Sequence, residues 1–285
     1  MSFPDLVIPE TVDQAVEALS FPHRQALIFG GGTLVQPFIT LGDDAHDLVV
    51  DLDHLALNQV VFENGQVSCG SMVRLAQLAQ ALPQDYIQAA VASIAGPAIR
   101  NLATVGGNLF AKPPYGDLAT LLLALDAELE LASSEGTRRI SLNDFYLLRD
   151  NAEASATGVL VTCVRFAADS RRTVVFRKMA RKQLNAGAVV TVALSLRLDG
   201  GVVGDARLAL GGVDRRPIRA PSAERVLTGS NLSKEVIESA AQAALQDCHP
   251  QTDAYASSWY RQRMVPLQIR RALTGIASSP RTPTS

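Results

Sequence analysis

Apolar and polar positions along this chain follow two periods, and each change of period marks an element. Asp5–Pro9 reads as a short strand, and Thr11-x-x-Gln14 is a capping box opening a helix that runs to Leu19. Ala26–Phe29 and Leu48–Leu52 are wholly apolar runs, the pattern of buried strands, with a turn or short helix over Thr33–Thr40 interrupted by Pro37. Val60–Phe62 and Val67–Cys69 flank Glu63-Asn64-Gly65-Gln66, and Asn-Gly between such runs predicts a tight hairpin. Leu75, Leu78, Ala79 and Leu82 keep helical spacing up to Pro83, and a second helix follows before Ala95.

The later pattern differs. Leu118–Leu125 predicts an apolar helix, Ala127–Ala132 and Thr137–Ile140 strands joined through Ser133–Gly136, Ser141–Tyr146 the start of a helix, and Val159–Phe166 a strand. Thr173–Phe176 reads as a strand inside a basic stretch of Arg171, Arg172, Arg177, Lys178, Arg181 and Lys182. Such a stretch is either a solvated strand end and loop or a positive wall beside an anionic cofactor or an acidic partner. A domain boundary is expected near Asp169–Lys182. Beyond it Ala188–Leu198 and Val202–Leu210 form a long hairpin through Asp199-Gly200-Gly201, and Pro217 and Pro221 bracket an extended crossing. Helices are predicted over Ser222–Leu227, Ser233–Asp247 and Asp253–Ile276. The fold class is α+β: an α/β part followed by a small antiparallel sheet with helices. The expected division is 1–175, 176–277 and a disordered tail, 278–285.

Composition narrows the function. The chain has 285 residues, 47% of them hydrophobic, and a net charge of −2, so no basic excess points to nucleic acid. No apolar run reaches membrane-spanning length and no secretory leader pattern is seen, which gives a cytoplasmic reading. Cys69, Cys163 and Cys248 are scattered without C-x-x-C, whereas iron–sulfur clusters typically need four thiolates. No cluster is expected on this chain, and no disulfide scaffold. His23, His46, His54 and His249 lack metal-ligand spacing, and Trp259, Tyr255 and Tyr260 read as packing residues. No nucleophile–base order or paired carboxylates stand out, so no catalytic side chain is assigned; a bound cofactor is expected to carry the chemistry.

Two glycine clusters are the candidate binding elements. Leu27-Ile28-Phe29 runs into Gly30-Gly31-Gly32-Thr33-Leu34, a strand leading through glycines toward a helix start, which suits a phosphate. It is neither G-x-G-x-x-G nor a P-loop. The second is Thr104-Val105-Gly106-Gly107-Asn108, whose adjacent glycines allow close approach and whose amides are expected to form an anion nest. Asp117 follows among Pro113, Pro114 and Gly116, placed either to accept bonds from sugar hydroxyls or to cap the helix from Leu118. A plain Gly-Gly bend remains open for the second cluster.

Gly-Gly-Gly-Thr-Leu, Thr-Val-Gly-Gly-Asn-Leu and Asp117, followed by LATLLLALDAELEL, GVLVTCVRF, FRKMARK, LALGGV and YRQRMVPLQIRRAL, resemble the FAD-binding medium subunit of molybdenum hydroxylases. This is the family of carbon monoxide dehydrogenase flavoproteins and the FAD domain of xanthine dehydrogenase, and the likeness spans nearly the whole chain. It implies an FAD-binding domain of the vanillyl-alcohol-oxidase (PCMH) type over 1–175 and a flavoprotein C-terminal domain over 176–277. It also implies non-covalent FAD, there being no histidine in the first glycine loop. The implied partners are a large molybdopterin-binding subunit and a small subunit with [2Fe–2S] clusters, in a dimer of heterotrimers. The implied role is passing electrons from those clusters through FAD to an external acceptor.

Carried over residue by residue, the resemblance places Gly30, Gly31, Gly32, Thr33 and Leu34, with Thr104, Val105, Gly106, Gly107 and Asn108, around the cofactor. The first loop departs from the family, which more often has Ala at Gly30 and Asp or Ser at Leu34. Asp117, Ile94 and Leu160 match cofactor-contacting positions, and Lys178 matches a lysine near the flavin, with Arg177 one register away. Other classes consistent with the residues are a stand-alone FAD oxidoreductase and a non-catalytic, flavin-less subunit.

Overall fold

The computed structural model describes residues 4–41, 46–150, 158–182 and 186–278. The tail expected to be disordered lies, from residue 279 on, outside the described residues. The chain forms two compact units: one built from the stretch up to Pro83, Ala95–Ala111 and Asp126–Ala168, the other from Gln84–Ile94, Lys112–Leu125 and the stretch from Asp169.

In the first unit β1 (Asp5–Val7), β3 (Leu48–Asp51) and β2 (Ala26–Phe29) make a parallel sheet in the order β1-β3-β2. Parallel neighbours require crossovers, and α1 (Val12–Leu19) supplies one. Thr11 caps it, accepting the Gln14 amide at 3.2 Å, while Gln14 Oε1 accepts from the amide of Glu10 rather than of Thr11. Short α2 (Gln36–Leu41) follows the first glycine loop. An antiparallel sheet runs β4-β5-β8-β6-β7, from β4 (Val60–Glu63), β5 (Gln66–Gly70), β6 (Glu128–Ser133), β7 (Gly136–Ser141) and β8 (Leu160–Ala167). The hairpin between β4 and β5 turns at Asn64 and Gly65, both left-handed (φ 51° and 76°), as a tight Asn-Gly turn demands. Ala15, Val16 and Ala18 of α1 share a core with Leu48, Val50, Leu52, Met72 and Leu160.

The short helices of this unit are α3 (Leu75–Ala81), α5 (Pro97–Arg100) and α6 (Val105–Leu109), the last of which holds the second glycine cluster with Thr104 as its N-cap, and α8 (Leu142–Asp150) follows β7; α4 and α7 belong to the other unit.

In the second unit the order is β12-β11-β10-β9, from β9 (Arg172–Ala180), β10 (Ala188–Asp199), β11 (Val202–Gly211) and β12 (Ile218–Arg219). Val190, Val192, Leu194 and Leu196 of β10 enter a core with α9 (Pro221–Leu227), α10 (Lys234–Ala243) and α11 (Ser258–Ser278). Because side chains alternate along a strand, Thr191 points the other way, toward α7 (Asp117–Ala124), while α4 (Asp85–Ala92) packs on β9 and α7.

Two expectations change. The strand expected to end at Phe176 continues to Ala180, because Arg177, Lys178 and Met179 pair with Val192, Thr191 and Val190 of β10. The last helix starts at Ser258, not Asp253. The Asp253 carboxylate instead accepts the amides of Tyr255 and Ala256 and the buried guanidinium of Arg261, a turn that competes with helix. No helix among the described residues is long and apolar enough to cross a membrane.

Candidate functional site

The first unit brings the two glycine clusters together. A Cβ on Gly31 would lie 1.9 Å from the carbonyl oxygen of Leu102, and one on Gly30 would lie 3.2 Å from Thr104 Oγ1. The first loop is therefore laid directly on the entry to the second. Gly32 sits at φ +69° above the ring of Phe29, a conformation suited to glycine.

The amides of the two loops have different fates. In the second, Val105 N–H donates to Val73 O (2.9 Å), Gly106 to Ser71 O (2.8 Å), Gly107 to Thr104 Oγ1 (3.0 Å) and Asn108 to Thr104 O (3.0 Å). The amides that a helix start leaves open are thus taken by protein acceptors. The anion nest expected there is closed, because α6 docks its N-terminus on the connection from β5 to α3. In the first loop, no amide from Gly30 to Leu34 donates to an acceptor among the described residues. Gly30 to Thr33 are only partly exposed. Partly buried backbone donors normally find partners, and a run of open amides of this kind has the chemistry to receive an anion. Leu160, expected beside the cofactor, is buried in the shared core with Met72, whose sulfur lies beneath Gly30.

The second unit assembles another group. The Asp117 carboxylate, 3% exposed, accepts from Lys178 Nζ at 2.6 Å and from Thr191 Oγ1 at 2.8 Å. Lys178 also donates to the carbonyl of Ser93 at 3.0 Å, next to Ile94. Strand alternation puts Arg177 on the opposite, exposed face, so Lys178 is the lysine that meets Asp117. Gly116, left-handed at φ 89°, is the N-cap of α7, and Asp117 is its first helical residue rather than its cap. Burial pushes the Asp117 carboxyl above the ordinary aspartate range, opposed by the Lys178 ammonium and the hydroxyl of Thr191. Thr191 was not among the expected residues; its only sequence signal is a hydroxyl inside an apolar strand.

Residues 2–166 match the FAD binding domain in molybdopterin dehydrogenase, and residues 174–276 the CO dehydrogenase flavoprotein C-terminal domain. The chain belongs to this flavoprotein family.

Among its flavoprotein relatives, the glyceraldehyde dehydrogenase medium chain of Sulfolobus acidocaldarius is 28% identical over 94% of this chain and 96% of its own length. The xanthine dehydrogenase FAD-binding subunit of Escherichia coli O157:H7 is 29% identical over 93% and 92%. Among solved structures, carbon monoxide dehydrogenase from Hydrogenophaga pseudoflava superposes with a TM-score of 0.86 at 25% identity, covering 96% of each chain. As a member of the family the chain is an oxidoreductase subunit, and FAD is its cofactor. The first loop fits that cofactor, because its open amides suit a pyrophosphate. Among the described residues no group of His, Cys, Asp or Glu could hold a metal ion.

Proposed function

We propose that this flavoprotein is the FAD subunit of a heteromeric molybdenum-containing hydroxylase. It would stand between a small partner with [2Fe–2S] clusters and an external electron acceptor, beside a large subunit with the molybdenum cofactor. The relatives' names, medium chain and FAD-binding subunit, support this division of labour, and a dimer of heterotrimers in the cytoplasm extends it. When bound, FAD supplies electron-transfer chemistry; the chain supplies binding and orientation.

The run of open amides from Gly30 to Leu34 carries the reading. These amides receive the pyrophosphate, charge-assisted bonds of roughly 1.5–3 kcal/mol each. Thr104, Val105, Gly106, Gly107 and Asn108 form the rigid backing that fixes the loop, with Leu160 in the core below. For Ile94, Asp117 and Lys178 a cofactor role rests on the family resemblance. No histidine lies in either glycine cluster, so the cofactor is held without a covalent link.

Native purification tests the whole reading. The expected product is a large yellow complex containing iron and molybdenum, from which acid precipitation releases FAD into the supernatant. Flavin remaining with the precipitate overturns the non-covalent assignment. A yellow lone chain makes this a stand-alone oxidoreductase, and a colourless complex removes the flavin role.

A further inference from the structure

We propose that Arg74 is a positioning residue for the flavin site, holding in place the wall on which the first glycine loop rests. The inference depends on the FAD reading above. Arg74 occupies the N-cap of α3 and makes no capping bond there, a position that small polar residues fill better. Its guanidinium instead donates from Nη1 to Leu102 O at 2.6 Å and from Nη2 to Asp53 Oδ1 at 2.5 Å. Leu102 O is the atom that crowds Gly31.

Asp53 closes the other side. It follows β3, where the amide of Leu52 donates to Phe29 O at 2.9 Å, immediately before Gly30. The contacts therefore form a ring, from Phe29 through Leu52, Asp53, Arg74 and Leu102 back to Gly31, around the loop whose amides are open. The backbone around Arg74 reinforces it: Leu75 N–H donates to Ala103 O and Val105 N–H to Val73 O, each at 2.9 Å. The side chains of Arg74 and Asp53 are 28% and 59% exposed, and an exposed pair adds little to stability. What it fixes is geometry. A planar fork reaches two acceptors at once, and a lysine ammonium at the end of a flexible stem does not reproduce it.

The test titrates the flavin-stripped full-length chain with FAD, and separately with ADP as a pyrophosphate probe. Arg74→Met and Arg74→Lys should each weaken both ligands about tenfold, the loss of roughly one hydrogen bond's worth of placement. The apo-protein melting temperature should stay within about 2 °C of the parent, as for loss of an exposed ion pair. Asp53→Asn should weaken binding in the parent and add nothing in the Arg74→Met background. Unchanged affinities overturn the proposal. So does rescue by Lys, or an affinity loss that only follows a matching loss of apo stability. If the parent chain itself fails to bind FAD, the FAD reading falls and takes this one with it.

Discussion

Lys178 illustrates how one side chain is fixed by its surroundings. Its ammonium and the Asp117 carboxylate are both nearly buried, with side chains 9% and 4% exposed, so each depends on the other. Removing one partner of such a pair leaves an uncompensated charge and typically costs about 3–5 kcal/mol. Lys178→Met should therefore lower the unfolding free energy of the apo-protein by about that much in denaturant titration, and Asp117→Asn added to it should restore a good part. Burial raises the Asp117 carboxyl, so the folded state keeps that proton to higher pH than the unfolded chain does. This favours folding below the unfolded-state value and is lost as pH rises through the folded one. The stability of the parent relative to Asp117→Asn should accordingly fall across that window. Denaturant titrations of both proteins at stepped pH check the sign, and the FAD affinity of the Asn variant tests the cofactor role.

At the scale of elements, the two glycine clusters look alike in sequence and do different work. Gly31 faces a backbone carbonyl that cannot move aside, whereas a Cβ on Gly107 would meet only Thr104 Oγ1, at 3.0 Å. Gly31→Ala should displace the loop and lower FAD affinity about tenfold or more, in line with the roughly 1–3 kcal/mol of overpacking. Gly107→Ala should be the milder change, with affinity within a few-fold of the parent by fluorescence titration. Equal effects would mean that the second cluster also presents its amides to the ligand. The Thr-Val-Gly-Gly-Asn order of the second cluster predicts a loop whose amides face a ligand. Which amides stay open is not legible there, because Ser71 and Val73, which accept two of them, are distant in sequence.

For the whole molecule, sequence and structure divide the problem by distance along the chain. Arg261 is 1% exposed, donates to the carbonyls of Ala188, Val189 and Gly212, and pairs with Asp253. In the sequence it is one basic residue of a helix; in the structure it ties the end of β11 and the start of β10 to α11. Arg261→Met takes the guanidinium donor away from these buried carbonyls and should destabilise the second unit by about 1–3 kcal/mol or more, seen as an earlier unfolding transition by circular dichroism. The sequence by itself determined what neighbouring residues settle among themselves. The Asn64-Gly65 and Asp199-Gly200-Gly201 turns, the capped start of α1, the apolar strands, the lack of cysteine spacing for a cluster and the family motifs all depend on short-range sterics or on composition. Tertiary structure alone decided the rest: that Lys178 rather than Arg177 meets Asp117, that Gly116 and not Asp117 caps α7, and that the first glycine loop rather than the second keeps its amides open. The physical reason is competition. A donor or a charge takes the best acceptor that folding brings to it, and here those acceptors lie on strands and loops remote in sequence.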